Sequence, residues 1–120
     1  MGGENRALAT KYHPLFSGVL QQNETLLTAS AAIYVKISEL LGRGAGDGTL
    51  GVTNLRVIHL GGSGGGLYLS RSEIISARKS WIVVPGSSNL NIKHKTNGTY
   101  EEYEFYCGTG FCKDVISLIG

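Results

Sequence analysis

Gly48-Thr49-Leu50-Gly51-Val52-Thr53-Asn54-Leu55-Arg56-Val57-Ile58-His59-Leu60 is the stretch that decides the fold. It reads as two short strands joined by a tight polar turn. Leu50 and Val52 share one face of the first strand, with Thr49 and Gly51 on the other, as a period of two requires. Thr53-Asn54 supplies the turn, because Asn tolerates the left-handed backbone that tight hairpins need. Val57, Ile58 and Leu60 then resume an apolar strand. Such a hairpin is a structural device rather than an active site.

Strand signals continue on both sides. Residues 25–30 and 32–37 alternate loosely and predict one bent strand with a break near Ser30-Ala31. Leu67-Tyr68-Leu69 predicts a short strand, Ile74-Ile75 with Ala77 another, and Trp81-Ile82-Val83-Val84 a third that Pro85-Gly86 stops. Leu90, Ile92 and His94 alternate with Asn91, Lys93 and Lys95, and Asn97-Gly98 is a strong hairpin signal. The returning strand, 99–107, places Tyr103, Phe105 and Cys107 inward and Glu102 and Glu104 outward. After Thr109, a good N-cap, the period changes, and Phe111, Val115, Leu118 and Ile119 fall on one helical stripe.

Residues 42–48 and 61–66 are glycine-rich loops. Residues 1–14 are polar and predict a flexible, irregular lead-in to a domain over 15–120, with Phe16, Val19 and Leu20 apolar enough to dock on it. About seven short strands followed by one helix make a mainly β chain. Strand periodicity alone permits several small β barrels.

A chain of 120 residues with net charge +2 fits one domain that buries a core without staples. Cys107 and Cys112 lie too close together to cross-link much of it, and reduced thiols inside a cell are expected. Three scattered histidines give no zinc-ligand spacing, so neither metal nor cofactor is expected. Neither a membrane-spanning stretch nor a signal peptide is read, and Arg6 stands where an acylation motif needs Ser or Thr.

Catalytic motifs fail in turn. Neither Gly44–Gly48 nor Gly61–Gly66 carries the Lys-Ser/Thr of a phosphate-binding loop, and no histidine is spaced to activate Cys107. An enzyme is not expected. Charge is the better lead. Residues 71–95 hold Arg71, Arg78, Lys79, Lys93 and Lys95 against Glu73, a balance of +4. Residues 96–120 hold Glu101, Glu102, Glu104 and Asp114 against Lys113, a balance of −3. That segregation suggests a surface with a positive end. No aromatics interleave these cations as base stacking needs, so no nucleic-acid partner is expected.

The hairpin, together with Phe16-Ser17-Gly18-Val19-Leu20-Gln21-Gln22-Asn23-Glu24-Thr25-Leu26-Leu27, resembles PH-like domains of the GLUE, GRAM and DM16 type, most of all the GLUE domains of ESCRT-II. Val52-Thr53-Asn54-Leu55-Arg56 also resembles a paired PH-like domain of the BBSome. The resemblance implies a PH-like bent antiparallel β-barrel or sandwich of about seven strands capped by one C-terminal helix.

It further implies a non-enzymatic membrane-recruitment module in the cytoplasm, peripheral on endosomal membranes, binding phosphoinositide, other sorting-complex subunits and, in some members, ubiquitin. Arg78-Lys79-Ser80 before Trp81-Ile82-Val83-Val84 is similar to the basic turn with which GLUE domains contact a headgroup. Guanidinium and ammonium groups suit phosphate through charge-assisted hydrogen bonds. Arg78, Lys79 and Ser80 are therefore the expected lipid site, widened by Lys93 and Lys95, while solvated loop charges explain the same residues without a ligand. Trp81 is expected in the core, with the membrane interface as the alternative. Arg56 is expected to pin the turn, and His94 to be a buried, satisfied histidine. The competing implication is a protein-interaction PH-like domain, of BBSome or transcription-factor type, with no specific lipid.

Overall fold

A computed structural model describes residues 2–36, 47–61, 66–84 and 87–119. In chain order they form α1 (Gly2–Phe16), β1 (Leu26–Ala31), β2 (Ile33–Lys36), β3 (Gly48–Thr53), β4 (Arg56–Gly61), β5 (Gly66–Ser70), a 3-10 turn (Arg71–Glu73), β6 (Ile74–Val84), β7 (Ser87–Thr96), β8 (Thr99–Gly108) and α2 (Thr109–Ile119). Two antiparallel four-stranded sheets result, ordered β1-β3-β4-β5 and β2-β8-β7-β6. Helix α2 packs on β6, β7 and β8. Two antiparallel sheets and a C-terminal helix make the PH-like sandwich that the resemblance implies. The glycine-rich positions 42–46 and 62–65, and the Pro85-Gly86 stop, lie outside the described residues.

The core is what the period-two pattern dictates. Leu50, Val52, Val57 and Leu69 of the first sheet meet Leu90, Ile92, Tyr103, Phe105 and Cys107 of the second, and Phe111, Cys112 and Val115 of α2 close the cluster. The other face of the first sheet is covered as well. Phe16, Leu26, Ala29 and Ile58 form a second apolar cluster, with Val19 and Leu20 packed against it. Phe16 is fully buried, which contributes on the order of 2–3 kcal/mol. Gly51 makes room for it, since a Cβ there would lie 2.7 Å from the Phe16 ring.

Residues 2–16 are therefore helical where the sequence suggests an irregular lead-in. Glu4, Arg6, Ala7, Leu8, Ala9 and Lys11 are good helix formers. The apolar positions of this helix are few, so periodicity alone did not announce it; docking of Phe16 and Tyr12 on the first sheet supplies the rest.

The break between the first two strands is sharp. β1 belongs to one sheet and β2 to the other, with buried Ala32 between them. Its N–H donates to Gly48 O at 3.0 Å and its carbonyl accepts from His59 Nε2 at 2.9 Å. A carbonyl only accepts, so His59 carries its proton on Nε2. Burial holds its pKa below the ordinary value, which keeps it neutral.

The β3–β4 turn forms without left-handed backbone at Asn54. Among the described residues the only non-glycine with positive φ is Asn97 (φ 52°), which with Gly98 (φ 79°) builds the β7–β8 hairpin. Side chains shape the first turn instead. Thr53 Oγ1 accepts the N–H of Leu55 at 3.0 Å and of Arg56 at 2.7 Å. Asn54 Oδ1 accepts the Thr25 N–H at 2.7 Å, and its Nδ2 donates to Asn23 O at 3.0 Å.

A second correction concerns β6. The two strands expected over 74–84 are one of 11 residues, with register shifts after Ile74 and Ser80. Arg78, Lys79 and Ser80 stand within it, paired with Asn91, Leu90 and Asn89, rather than in a turn. Backbone pairing with β7 outweighs the local turn preference, and irregular pairing at both ends absorbs the bend.

Candidate functional site

Cross-strand register decides which cations share a surface. Lys79 lies opposite Leu90, which is fully buried in the core, so Lys79 leaves β6 on the core side and reaches solvent at the sheet edge. Arg78 lies opposite Asn91 and takes the outer face. Lys93 is on that outer face between Ser76 and Glu102, and Lys95 stands opposite Tyr100. The four candidate lipid cations therefore do not converge. Arg78, Lys93 and Lys95 share one face, and Lys79 is on the other. Ser80 is paired through its backbone with Asn89; its side chain, like that of Trp81, lies outside the described set.

The same register undoes the charge segregation read from the sequence. The β7–β8 hairpin lays the basic block directly beside the acidic one: Lys93 opposite Glu102, His94 opposite Glu101, Asn91 opposite Glu104. Glu104, expected outward and exposed, is 8% exposed, because β2 and β7 flank it on both sides. The outer face is a mixed-charge surface rather than a positive end. Lys93 and Lys95 each approach the Tyr100 ring, at 5.9 and 5.1 Å from its centroid. Tyr100 is 58% exposed, so it presents both cations with an aromatic platform.

Arg71 is withdrawn from the basic block by structure. Its guanidinium donates to Thr53 O at 3.0 Å and to Leu118 O, tying the β3–β4 turn to the last turn of α2. A cation there also complements the negative end of the helix dipole. His94 is buried and edge-on to Tyr103, and it is satisfied at one nitrogen only: Nδ1 is hydrogen-bonded to Thr96 Oγ1 at 3.0 Å, while buried Nε2 has no hydrogen-bond partner among the described residues. Arg78, Lys79, Lys93 and Lys95 have no carboxylate within ion-pair distance among the described residues.

Arg56 is part of the strongest polar network. Its Nη2 lies 2.5 Å from Glu24 Oε1 and its Nε 2.9 Å from Oε2, and Nη2 also donates to Val19 O at 2.8 Å. Thr53 Oγ1 completes the shell by donating to Glu24 Oε2 at 2.6 Å. The Arg56 hydrogen bonds hold the Glu24 carboxyl at about 2 against the opposing effect of burial, with Thr53 and the Gln21 N–H adding to the fall. The network clamps residues 19–24 to the hairpin. Glu24 was missed in the sequence; its signal was a solitary acid flanked by the apolar Phe16–Leu20 and Leu26-Leu27 segments.

Cys107 and Cys112 are both buried, free and hydrogen-bonded to one another. That bond lowers the Cys112 thiol below its ordinary value, helped by the nearby Lys79 charge, and raises Cys107. Among the described residues no three His, Cys, Asp or Glu side chains group to hold a metal, and no helix is long and apolar enough to cross a membrane.

No family profile and no curated protein matches the sequence. Solved structures do match the fold. The Vps36 N-terminal PH domain is similar with a TM-score of 0.65 at 15% identity, over 84% of this chain and 83% of that one. The C-terminal domain of an unknown protein from Leishmania infantum is similar with a TM-score of 0.64 at 17% identity, over 95% and 96%. The hSac2 domain of the human phosphoinositide phosphatase Sac2 is similar with a TM-score of 0.64 at 10% identity, over 94% and 79%. The chain has a PH-like fold.

Proposed function

We propose that the chain is a non-enzymatic recruitment module that attaches a larger assembly to an anionic membrane, as a GLUE domain does in ESCRT-II-type endosomal sorting, with phosphoinositide as its lipid. Its place would be cytoplasmic and peripheral. The observation that carries this is Arg78: exposed, on an edge strand, with no carboxylate partner among the described residues, and next in sequence to exposed Lys79. Because the two leave β6 on opposite faces, a headgroup would be gripped across the strand edge, with Ser80 as a neutral donor. Lys93 and Lys95 widen the field. Each cation near an anionic surface is worth about 1 kcal/mol, so the attraction is real but modest without a stereospecific pocket. Two of the similar structures, a PH domain and a domain of a phosphoinositide phosphatase, are consistent with this lipid class.

The test is co-sedimentation with liposomes carrying singly or multiply phosphorylated phosphoinositides at physiological salt, wild type beside Arg78→Ala/Lys79→Ala. Selective binding that the double substitution removes is the expected result. Binding that follows total lipid charge alone, or none, sinks the headgroup site.

A second function is favoured by one observation, the interleaving of Lys93 and Lys95 with Glu101, Glu102 and Tyr100 on the outer face. A mixed-charge face with an exposed aromatic suits a patterned protein partner, ubiquitin or a subunit of the same assembly, better than a uniform anionic surface. Protein capture that Lys93→Ala/Lys95→Ala weakens, with no selective phosphoinositide binding, is the result that would select it.

A further inference from the structure

Of the six tyrosines, four are buried or half-buried, and only Tyr68 and Tyr100 are exposed, at 44% and 58%. Their surroundings differ. Tyr68 stands between Leu67 and Leu69, with the Arg56 guanidinium 5.1 Å from its ring centroid. Tyr100 stands two residues after Gly98 of the hairpin turn, and the exposed acids Glu101 and Glu102 follow it directly. Strand β2 pairs with residues 103–106 of β8, so residues 99–102 have a neighbour on the β7 side alone among the described residues. A second protein can therefore meet that stretch in extended form, along its backbone and from its outer face.

Two cations already attend the ring. Lys93 is opposite Glu102 and Lys95 is opposite Tyr100 itself, with Nζ 5.9 and 5.1 Å from the ring centroid. Glu101 points to the other face of β8, where it accepts from the Tyr103 hydroxyl. Around Tyr100 on the outer face, Lys93 and Lys95 against Glu102 leave a balance of +1. A phosphate on the Tyr100 hydroxyl carries about −2 and would reverse that sign.

We propose that Tyr100 is the acceptor of a tyrosine kinase, and that its phosphate turns the outer face from attracting an anionic membrane to repelling one. The membrane consequence rests on the recruitment function proposed above; the site does not. In the transfer a bond forms between Tyr100 Oη and the γ-phosphorus of ATP, and the bond to the β–γ bridging oxygen breaks. ADP leaves with that electron pair, and the phenolic proton passes to the carboxylate base of the kinase. Glu101 and Glu102 give a kinase a charge pattern to select, which Tyr68 lacks. Lys93 and Lys95 then meet the phosphate through charge-assisted hydrogen bonds, so the modified hairpin stays folded. Neutralised there, they no longer widen the field at the lipid surface. Two cations near an anionic surface are together worth on the order of thirtyfold in affinity.

The test incubates the intact chain with a tyrosine-kinase catalytic domain, magnesium and ATP, and locates the phosphate by tandem mass spectrometry. The expected result is a single phosphate, on Tyr100, with Tyr68 unmodified. Tyr100→Phe abolishes labelling, and Glu101→Gln/Glu102→Gln slows it by about fivefold or more. Phosphorus-31 NMR of the product reads the lysines: the second ionisation of the phosphate, ordinarily at about pH 6, falls in the wild type and returns on Lys93→Ala/Lys95→Ala. In the liposome assay the phosphorylated chain binds about tenfold or more weakly than the unmodified one. No labelling, labelling of Tyr68, Tyr103 or Tyr106 in place of Tyr100, or a rate indifferent to the two acids overturns the site. A phosphate whose ionisation ignores the lysines, or that leaves liposome binding unchanged, overturns the switch. Failure of the unmodified chain to bind liposomes sinks the recruitment function and the switch with it, while the labelling still decides the site.

Discussion

Glu24→Gln removes one charge from a pair that the fold has buried, and the size of the effect follows from its surroundings. The Glu24 side chain is fully excluded from solvent and that of Arg56 is 16% exposed. Gln keeps the shape but offers one oxygen where the carboxylate offers two, and Arg56 and Thr53 both need acceptors. Removing one partner of a buried pair costs about 3–5 kcal/mol, because the other charge is left without compensation. An independent route gives a similar figure. A carboxyl held at about 2, against 4.5 when unperturbed, favours the folded state by on the order of 3 kcal/mol at neutral pH. Domains of this size have about 5–15 kcal/mol in total, so the loss is a large share. The expected drop in Tm is on the order of 10–15 °C. Urea unfolding followed by circular dichroism reads it directly, with Arg56→Met and the double variant closing the cycle. The pH dependence carries the same information. The folded pKa is depressed, so the stabilisation is complete above about pH 4.5 and disappears as pH falls toward 2. In the Gln variant that slope flattens. A loss under about 1 kcal/mol, with the acid slope unchanged, refutes the clamp.

Gly51→Ala should destabilise by about 1–3 kcal/mol, because its Cβ meets the Phe16 ring, and Phe16→Leu in the same chain should recover part of that loss in denaturant titrations. Gly98→Ala puts a Cβ at φ 79° and should lower stability by about 1 kcal/mol with no steric contribution, since open space surrounds it. His59→Gln tests the sheet crossing: the folded pKa of His59 is depressed, so its contribution is present above pH 6.5 and fades as pH falls below it. Wild-type thermal stability should therefore decline as pH falls below about 6.5, and the Gln variant should decline less.

The parts of the fold written in period two were open to inspection. Leu90-Asn91-Ile92-Lys93-His94-Lys95 alternates in burial as it alternates in chemistry, and Asn97-Gly98 adopts the left-handed pair that its identity demands. The parts that depend on contacts far along the chain were not. Nothing near Gly51 announces that Phe16 covers it, 35 positions away, so its face reads as exposed. Residues 2–16 carry helix propensity with little amphipathic pattern, and only the sheet beneath makes the helix worth forming. The candidate site suffered most, because a run of charges states which cations are close in sequence and not which share a face.

That last distinction governs how this surface works. Arg78 and Lys79 are adjacent in the chain and divided by the sheet, while Lys93 and Lys95 are two apart and share a face. On an edge strand, exposed cations also have a structural use, since charge discourages a second strand from adding to the open edge. The two uses predict different behaviour of the double variant. Edge protection alone predicts that Arg78→Ala/Lys79→Ala increases self-association and leaves liposome binding as it was. A headgroup gripped across the edge predicts loss of phosphoinositide selectivity with the protein still monomeric. Sedimentation velocity of the double variant beside the liposome assay separates them, and self-association without lost lipid selectivity would assign these cations to protecting the edge.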